Sequence, residues 1–180
     1  ELAKKEPGAL RFGSSGVGGA HHLSGELFAE DADIKLTHVP YRGGAPAATD
    51  LMAGHIDMMF EMGYAAMPAI DAKKVKPIAV TSAKRLALLP DVPTLAEAGL
   101  PGFESYNWQG IIAPAGTPEP IIQKLNAAFN KVLQKPEVIK AFDETGGQIG
   151  GGTPEDFSKF IESETKKWKE VIEKGGVTIS

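Results

Sequence analysis

The stretch LRFGSSGVGGAHHLSGELF, Leu10 to Phe28, decides the fold. A short apolar run, Leu10 to Gly13, reads as a strand. A loop of Gly, Ser and Val follows. A helix is then expected over Gly18 to Glu30, with Ala20, Leu23, Leu27 and Phe28 on one face. So little side chain between a strand and a helix lets a ligand come close to the backbone.

Downstream the alternation repeats. IKLTHV (Ile34 to Val39) predicts a buried strand, and GGAPAATDLMAG a short helix that Gly54 ends. IDMMF (Ile56 to Phe60) predicts a third strand, GYAAMPAIDAKK a helix, and KPIAVTS (Lys76 to Ser82) a fourth strand. VPTLAEAG reads as a capped turn of helix starting near Pro93 or Thr94. Strands and helices alternating through short connections imply right-handed crossovers and a parallel sheet, so the fold class is α/β.

After Gly99 the texture changes. Trp108 to Ala113 is the one strand candidate there. Thr117 is expected to cap a helix with Pro118 in its first turn and Ile121, Ile122, Leu125, Phe129, Val132 and Leu133 in one stripe. Pro136 begins a shorter helix. Thr153, Pro154 and Asp156 open the last one, whose Phe157, Phe160, Ile161, Trp168, Val171 and Ile172 form an apolar face expected to pack on a sheet. Tyr106 and Trp108 line a crevice or fill the core, and core is favoured. The opening ELAKKEPGAL reads as the last turn of a helix, so a preceding portion of chain is expected.

Composition narrows the function. Hydrophobic residues are 42% and charged residues 23% of the 180, ordinary for a globular chain. No apolar run approaches the roughly 18 residues of a membrane helix. The net charge of −4, with Lys and Arg dispersed, argues against a nucleic-acid partner. The absence of Cys excludes disulfides, thiolate metal sites and thiol nucleophiles.

Two loops share one chemistry. GSSGVGG (Gly13 to Gly19) and YRGGAPA (Tyr41 to Ala47) each lie after a strand and before a helix. In parallel sheets ligands bind at the carboxyl ends of strands, where helix N-termini present unpaired N–H groups and partial positive charge. Two such ends facing one crevice make an anion site, with the Ser14 and Ser15 hydroxyls as added donors. For either loop alone, glycines that merely permit a tight turn are the simpler explanation. No nucleotide motif fits: Gly16 and Gly18 are followed by His21 where a dinucleotide fingerprint wants Gly, and no Lys follows Gly18 as a P-loop would need. A nucleophile elbow fails as well.

Chemical groups are sparse. His21 and His22 are adjacent, so on a helix they point about 100° apart and do not share a metal; His38 and His55 lack partners at ligand spacing. His21 faces the cleft as a donor or is packed or solvated. Glu61, at the end of the third strand, receives an ammonium or hydroxyl or holds a loop. Arg42 pairs an acidic ligand or stands on a solvated rim. No nucleophile, base and orienting group can be assembled, which tilts the reading toward binding without chemistry.

The strings LRFGSSGVGGAHHLSGELF, HVPYRGGAPAATDLMAGHIDMMF, KPIAVTSAKRLALLPDVPTLAEAGLPGFE and WQGIIAPAGTPEPIIQKLNAAFNKVL together resemble the Bug-type extracytoplasmic solute receptors of tripartite tricarboxylate transporters. The resemblance runs through essentially the whole chain. It implies a type II periplasmic-binding-protein-like, two-lobed Venus-flytrap. Residues 1–103 would be one complete lobe. Residues 104–180 would be the hinge crossing, near Phe103 to Asn107, and the C-terminal part of the other lobe, whose N-terminal part would be missing. It implies a periplasmic location, no cofactor, a small carboxylate ligand (a di- or tricarboxylate, an acidic amino acid or an aromatic acid), and membrane permease subunits as partners. By position, Ser14, Ser15, Gly16, Val17, Gly18 and His21 would form one ligand loop, and Tyr41, Arg42, Gly43, Gly44 and Ala45 the other. Glu61 and Met62 stand where the family often carries an Asp–Asn pair, which shrinks or recharges the pocket. The alternatives are an α/β enzyme acting on a phosphorylated or carboxylated metabolite, with Glu61 or His21 as its titrating group, and a receptor that signals to a membrane sensor kinase.

Overall fold

A computed structural model describes residues 1–178. Its centre is β1 (Arg11–Ser14), which buries Phe12, Gly13 and Ser14 and leaves only Arg11 exposed. β2 (Thr37–Pro40) and β3 (Met58–Met59) flank it in a parallel sheet of order β2-β1-β3. The register pairs Phe12 with His38 on one side and with Met58 on the other. Parallel neighbours need crossovers. α2 (Ala20–Asp31) supplies the first, and α3 (Gly44–Ala53) the second; α1 (Leu2–Lys5) precedes the sheet and α4 (Gly63–Asp71) follows it. Gly54 ends α3 in the left-handed conformation expected of it, at φ 79°. The Asp57 carboxylate fixes the start of β1 by accepting from the Arg11 amide at 2.8 Å and from its guanidinium at 3.2 Å.

The strands are shorter than their sequence patterns. β2 begins at Thr37, not Ile34, and β3 keeps two of the five residues of Ile56 to Phe60. Lys76 to Ser82 is no strand of this sheet. Its Val80 makes one parallel bridge to Thr94, donating to the Pro93 carbonyl and accepting from the Leu95 amide. An apolar, β-branched run thus finds a turn as partner instead of a strand. Val92 to Gly99 forms turns closed by a reciprocal bond pair between Thr94 and Glu97, without becoming a helix. The described backbone of Trp108 to Ala113 forms no strand either.

α5 (Glu119–Leu133), α6 (Pro136–Glu144) and α7 (Pro154–Lys174) complete the described chain. α5 starts one residue later than a Thr117 cap predicts. Thr117 donates its hydroxyl to the Pro114 carbonyl, so Pro118 takes the cap position. Thr153 and Asp156 do form the expected capping box of α7. The apolar face of α7 meets α2 and the extended segment 103–110, not a sheet. Lys174 reaches Glu30, Tyr106 stacks on Phe160, and Trp108 sets its edge against Phe157 and Phe160. Tyr106 and Trp108 are therefore packed on one side and open on the other, at 38% and 40% exposure, and neither is core.

Candidate functional site

The β1–α2 loop takes its shape from inside. Ser14 is fully buried, and its hydroxyl accepts from the Gly16 amide at 3.2 Å. The same oxygen lies 3.0 Å from the Gly16 carbonyl and 2.6 Å from His38 Nε2. The Gly18 amide donates to His22 Nδ1 at 3.0 Å. The His22 proton therefore sits on Nε2, which faces Glu26 Oε1 at 3.3 Å. His22 and His38 stack at 3.6 Å with rings 9° from parallel, and Phe12 packs against both. Burial, and then the neighbouring His22, push the His38 imidazole down to about 4.

Not every loop amide is bare, as the sequence had suggested. Gly16 and Gly18 donate to the protein itself, and the Ser14 hydroxyl is committed to the loop. A closed ring of internal bonds holds the backbone in place. The Val17 and Gly19 amides meet no acceptor among the described residues. Beyond them the first turn of α2 adds amides that no helical carbonyl can reach. Gly16 and Gly18 sit at φ 141° and 76°, a region that side chains resist, so the loop requires glycine at both. Ser15 is half-buried and Val17 exposed at the tip.

The β2–α3 loop lies alongside. The Tyr41 amide donates to the Ser14 carbonyl at 3.0 Å, which ties the two loops together. Its hydroxyl donates to Asp50 at 2.7 Å and so is engaged within this unit; that bond raises the Tyr41 pKa and lowers that of Asp50. Arg42 and Ala45 are exposed, and Arg42 stands on the rim without an ion pair among the described residues. Gly43, at φ 122°, takes the N-cap position of α3 with no side-chain cap.

Glu61 stands where these ends converge. A Cβ on Gly44 would lie 3.2 Å from Glu61 Oε2 and 3.7 Å from His21 Cε1. Glu61 Oε1 is 3.3 Å from His21 Nε2 and accepts from the Met62 amide at 2.9 Å. Burial would push the Glu61 carboxyl up, but His21 and the Met62 amide outweigh it and hold the group below its ordinary value. His21 Nδ1 is buried and meets no partner among the described residues. His21 thus faces the crevice between the two helix ends, and an ionised carboxylate of the protein already lies in that crevice. Met62 is exposed, with its sulfur 3.9 Å from Asn107 Nδ2. No cluster of three metal-ligating side chains occurs among the described residues.

Several residues that shape this site escaped the sequence reading. His22 and His38 had no ligand role and so seemed idle. Asp50 and Asn107 carry no motif. Only the placement of His38 inside a β-branched strand hinted that its ring points into the packed layer.

A parallel sheet with two glycine-lined loops at its carboxyl edge has the layout of an α/β ligand-binding lobe. The chain belongs to the tripartite tricarboxylate transporter receptor family, TctC, whose family model matches residues 1–177. A Pseudomonas sp. protein encoded in the tcbD–tcbE intergenic region is 44% identical over 173 residues, covering 96% of this chain and 52% of that protein. Among solved structures, a Rhodopseudomonas palustris protein with adipate superposes with a TM-score of 0.82 at 36% identity, covering 98% of this chain and 59% of that one. The periplasmic binding protein BugD superposes at 0.76 and 34% identity, covering 98% and 60%. This chain thus spans little more than half the length of these relatives. The family is a receptor family, and the chain shares the fold of these solved structures. No helix of the described residues is long and apolar enough to cross a membrane.

Proposed function

We propose that this chain is the ligand-gripping part of a periplasmic receptor that captures a small carboxylate and hands it to the membrane permease of a tripartite transporter. The convergence of the α2 and α3 N-termini on one crevice, with Gly44, His21 and Glu61 in contact, carries this reading. Ser15, Val17 and Gly18 line it from one loop, Gly43 and Gly44 from the other. Arg42, Ala45 and Met62 stand at its mouth, while Ser14, Gly16 and Tyr41 hold the loops in register. The adipate in a related structure supports the ligand class. Residues 1–103 would form one lobe, and residues 104–180, the last two of which lie outside the described residues, would cross the hinge and join the other. Closure of the lobes is the work, and a ligand drives it by preferring the closed form.

The full-length receptor should be screened by thermal shift against small carboxylates, sugars, cations and nucleotides. A carboxylate that binds raises the melting temperature by mass action, by about 2.7 kcal/mol of stability at a hundredfold excess over Kd. Stabilisation by sugars, cations or nucleotides with none from any acid would refute the assignment.

A further inference from the structure

We infer that Glu61 is the specificity-determining residue of this lobe, and that it selects a carboxylate carrying a hydrogen-bond donor, an ammonium or a hydroxyl, next to the carboxylate that the loops grip. The inference rests on the carboxylate-receptor reading above and narrows it.

The crevice between two helix N-termini suits an anion. Here one is already in place and belongs to the protein. Glu61 Oε1 takes the Met62 amide at 2.9 Å and faces His21 at 3.3 Å, while Oε2 lies against Gly44, 3.2 Å from where a Cβ would be. These contacts come from three separate elements, so the carboxylate is positioned and not merely tethered. The side chain is only 16% exposed and His21 12%, so water screens the charge poorly. A second ligand carboxylate brought here would meet like charge in a dry place, whereas a donor would complete the remaining lone pairs of Glu61. A ligand carboxylate can still reach the Val17 and Gly19 amides, which have no acceptor among the described residues. One end of the crevice therefore asks for an anion, and the adjoining end for a donor.

The test is isothermal titration of the full-length receptor with acids matched in length: succinate, malate and aspartate; glutarate, 2-hydroxyglutarate and glutamate; adipate and 2-aminoadipate. Within whichever length binds, the hydroxy or amino acid should bind at least about tenfold tighter than the plain diacid, a difference of about 1.4 kcal/mol. Glu61→Gln should erase most of that preference, with the plain diacid gaining affinity and the amino acid losing it. Equal or tighter binding of the plain diacid by the wild type overturns the inference without any variant. So does a Glu61→Gln receptor that tightens on every acid alike, which would make Glu61 a plug that swings aside. If no acid of any length binds, while another solute class does, the receptor reading itself falls.

Discussion

At the scale of single residues, the informative side chains are histidines that bind nothing. His38 is neutral because its ring lies in the packed layer against His22 and Phe12, and its pKa falls to about 4 from 6.5. Between those two pH values the unfolded chain takes up a proton that the folded chain refuses. Stability is therefore full above about pH 6.5 and is lost as pH falls toward 4, with a slope of at most roughly 1.4 kcal/mol per pH unit from this group. Melting temperatures between pH 4 and 7 should show this fall, and His38→Gln should flatten it relative to wild type. An unchanged slope would mean that the stack does not govern the loop. Glu61 shows the opposite balance: it is buried too, yet stays charged because His21 and an amide face it. Both outcomes depend on what a side chain touches, and neither imidazole nor carboxylate announces its neighbours in sequence.

At the scale of elements, short strands are held by close approach more than by length. Gly25 in α2 lets the helix settle on β1: a Cβ there would lie 2.2 Å from the ring of Phe12, itself only 1% exposed. Alanine would gain up to about 1 kcal/mol of helix propensity but overpack the core by about 1–3 kcal/mol. Gly25→Ala should therefore lower the urea midpoint, by on the order of 1–2 kcal/mol of stability; a rise would show that the layer has room to adjust. Helices were legible because capping and periodicity are local. The Thr153–Asp156 box and the Gly54 stop act where they were expected. The runs at Lys76 to Ser82 and Trp108 to Ala113 misled because a strand exists only with a partner. The first pairs with a turn through one bridge, and the second lies against the aromatic face of α7.

At the scale of the molecule, apolar surface is left open on one side. Ile121, Leu125, Phe129 and Val132 repeat at helical spacing along α5 and are exposed, as are Ile139 and Phe142 of α6 and Ile111 and Ile112 before them, Ile112 at 83%. Globular domains rarely leave so many large apolar side chains in the open. The relatives are nearly twice as long, and in the two-lobed receptor proposed above the remainder of the other lobe would lie over this face. These 180 residues expressed alone should associate with rising concentration in light scattering, and the remainder of the full-length receptor, added in trans, should suppress it. A strictly monomeric 180-residue chain with no dye-binding apolar surface would count against that covering.

The sequence by itself determined the alternation of strands and helices, the parallel sheet it implies, the glycine loops at the strand ends and the family. The elements, sheet and loops follow from periodicity, capping and backbone freedom, which act over a few residues; the family follows from the resemblance of whole strings. Only the tertiary structure decided which loop amides stay available, that the Glu61 carboxylate lies in the crevice between α2 and α3, and which apolar runs become strands. Those depend on contacts between residues up to forty or more positions apart, such as His21 with Glu61 and Arg11 with Asp57, and burial and charge at such contacts are set by the fold as a whole.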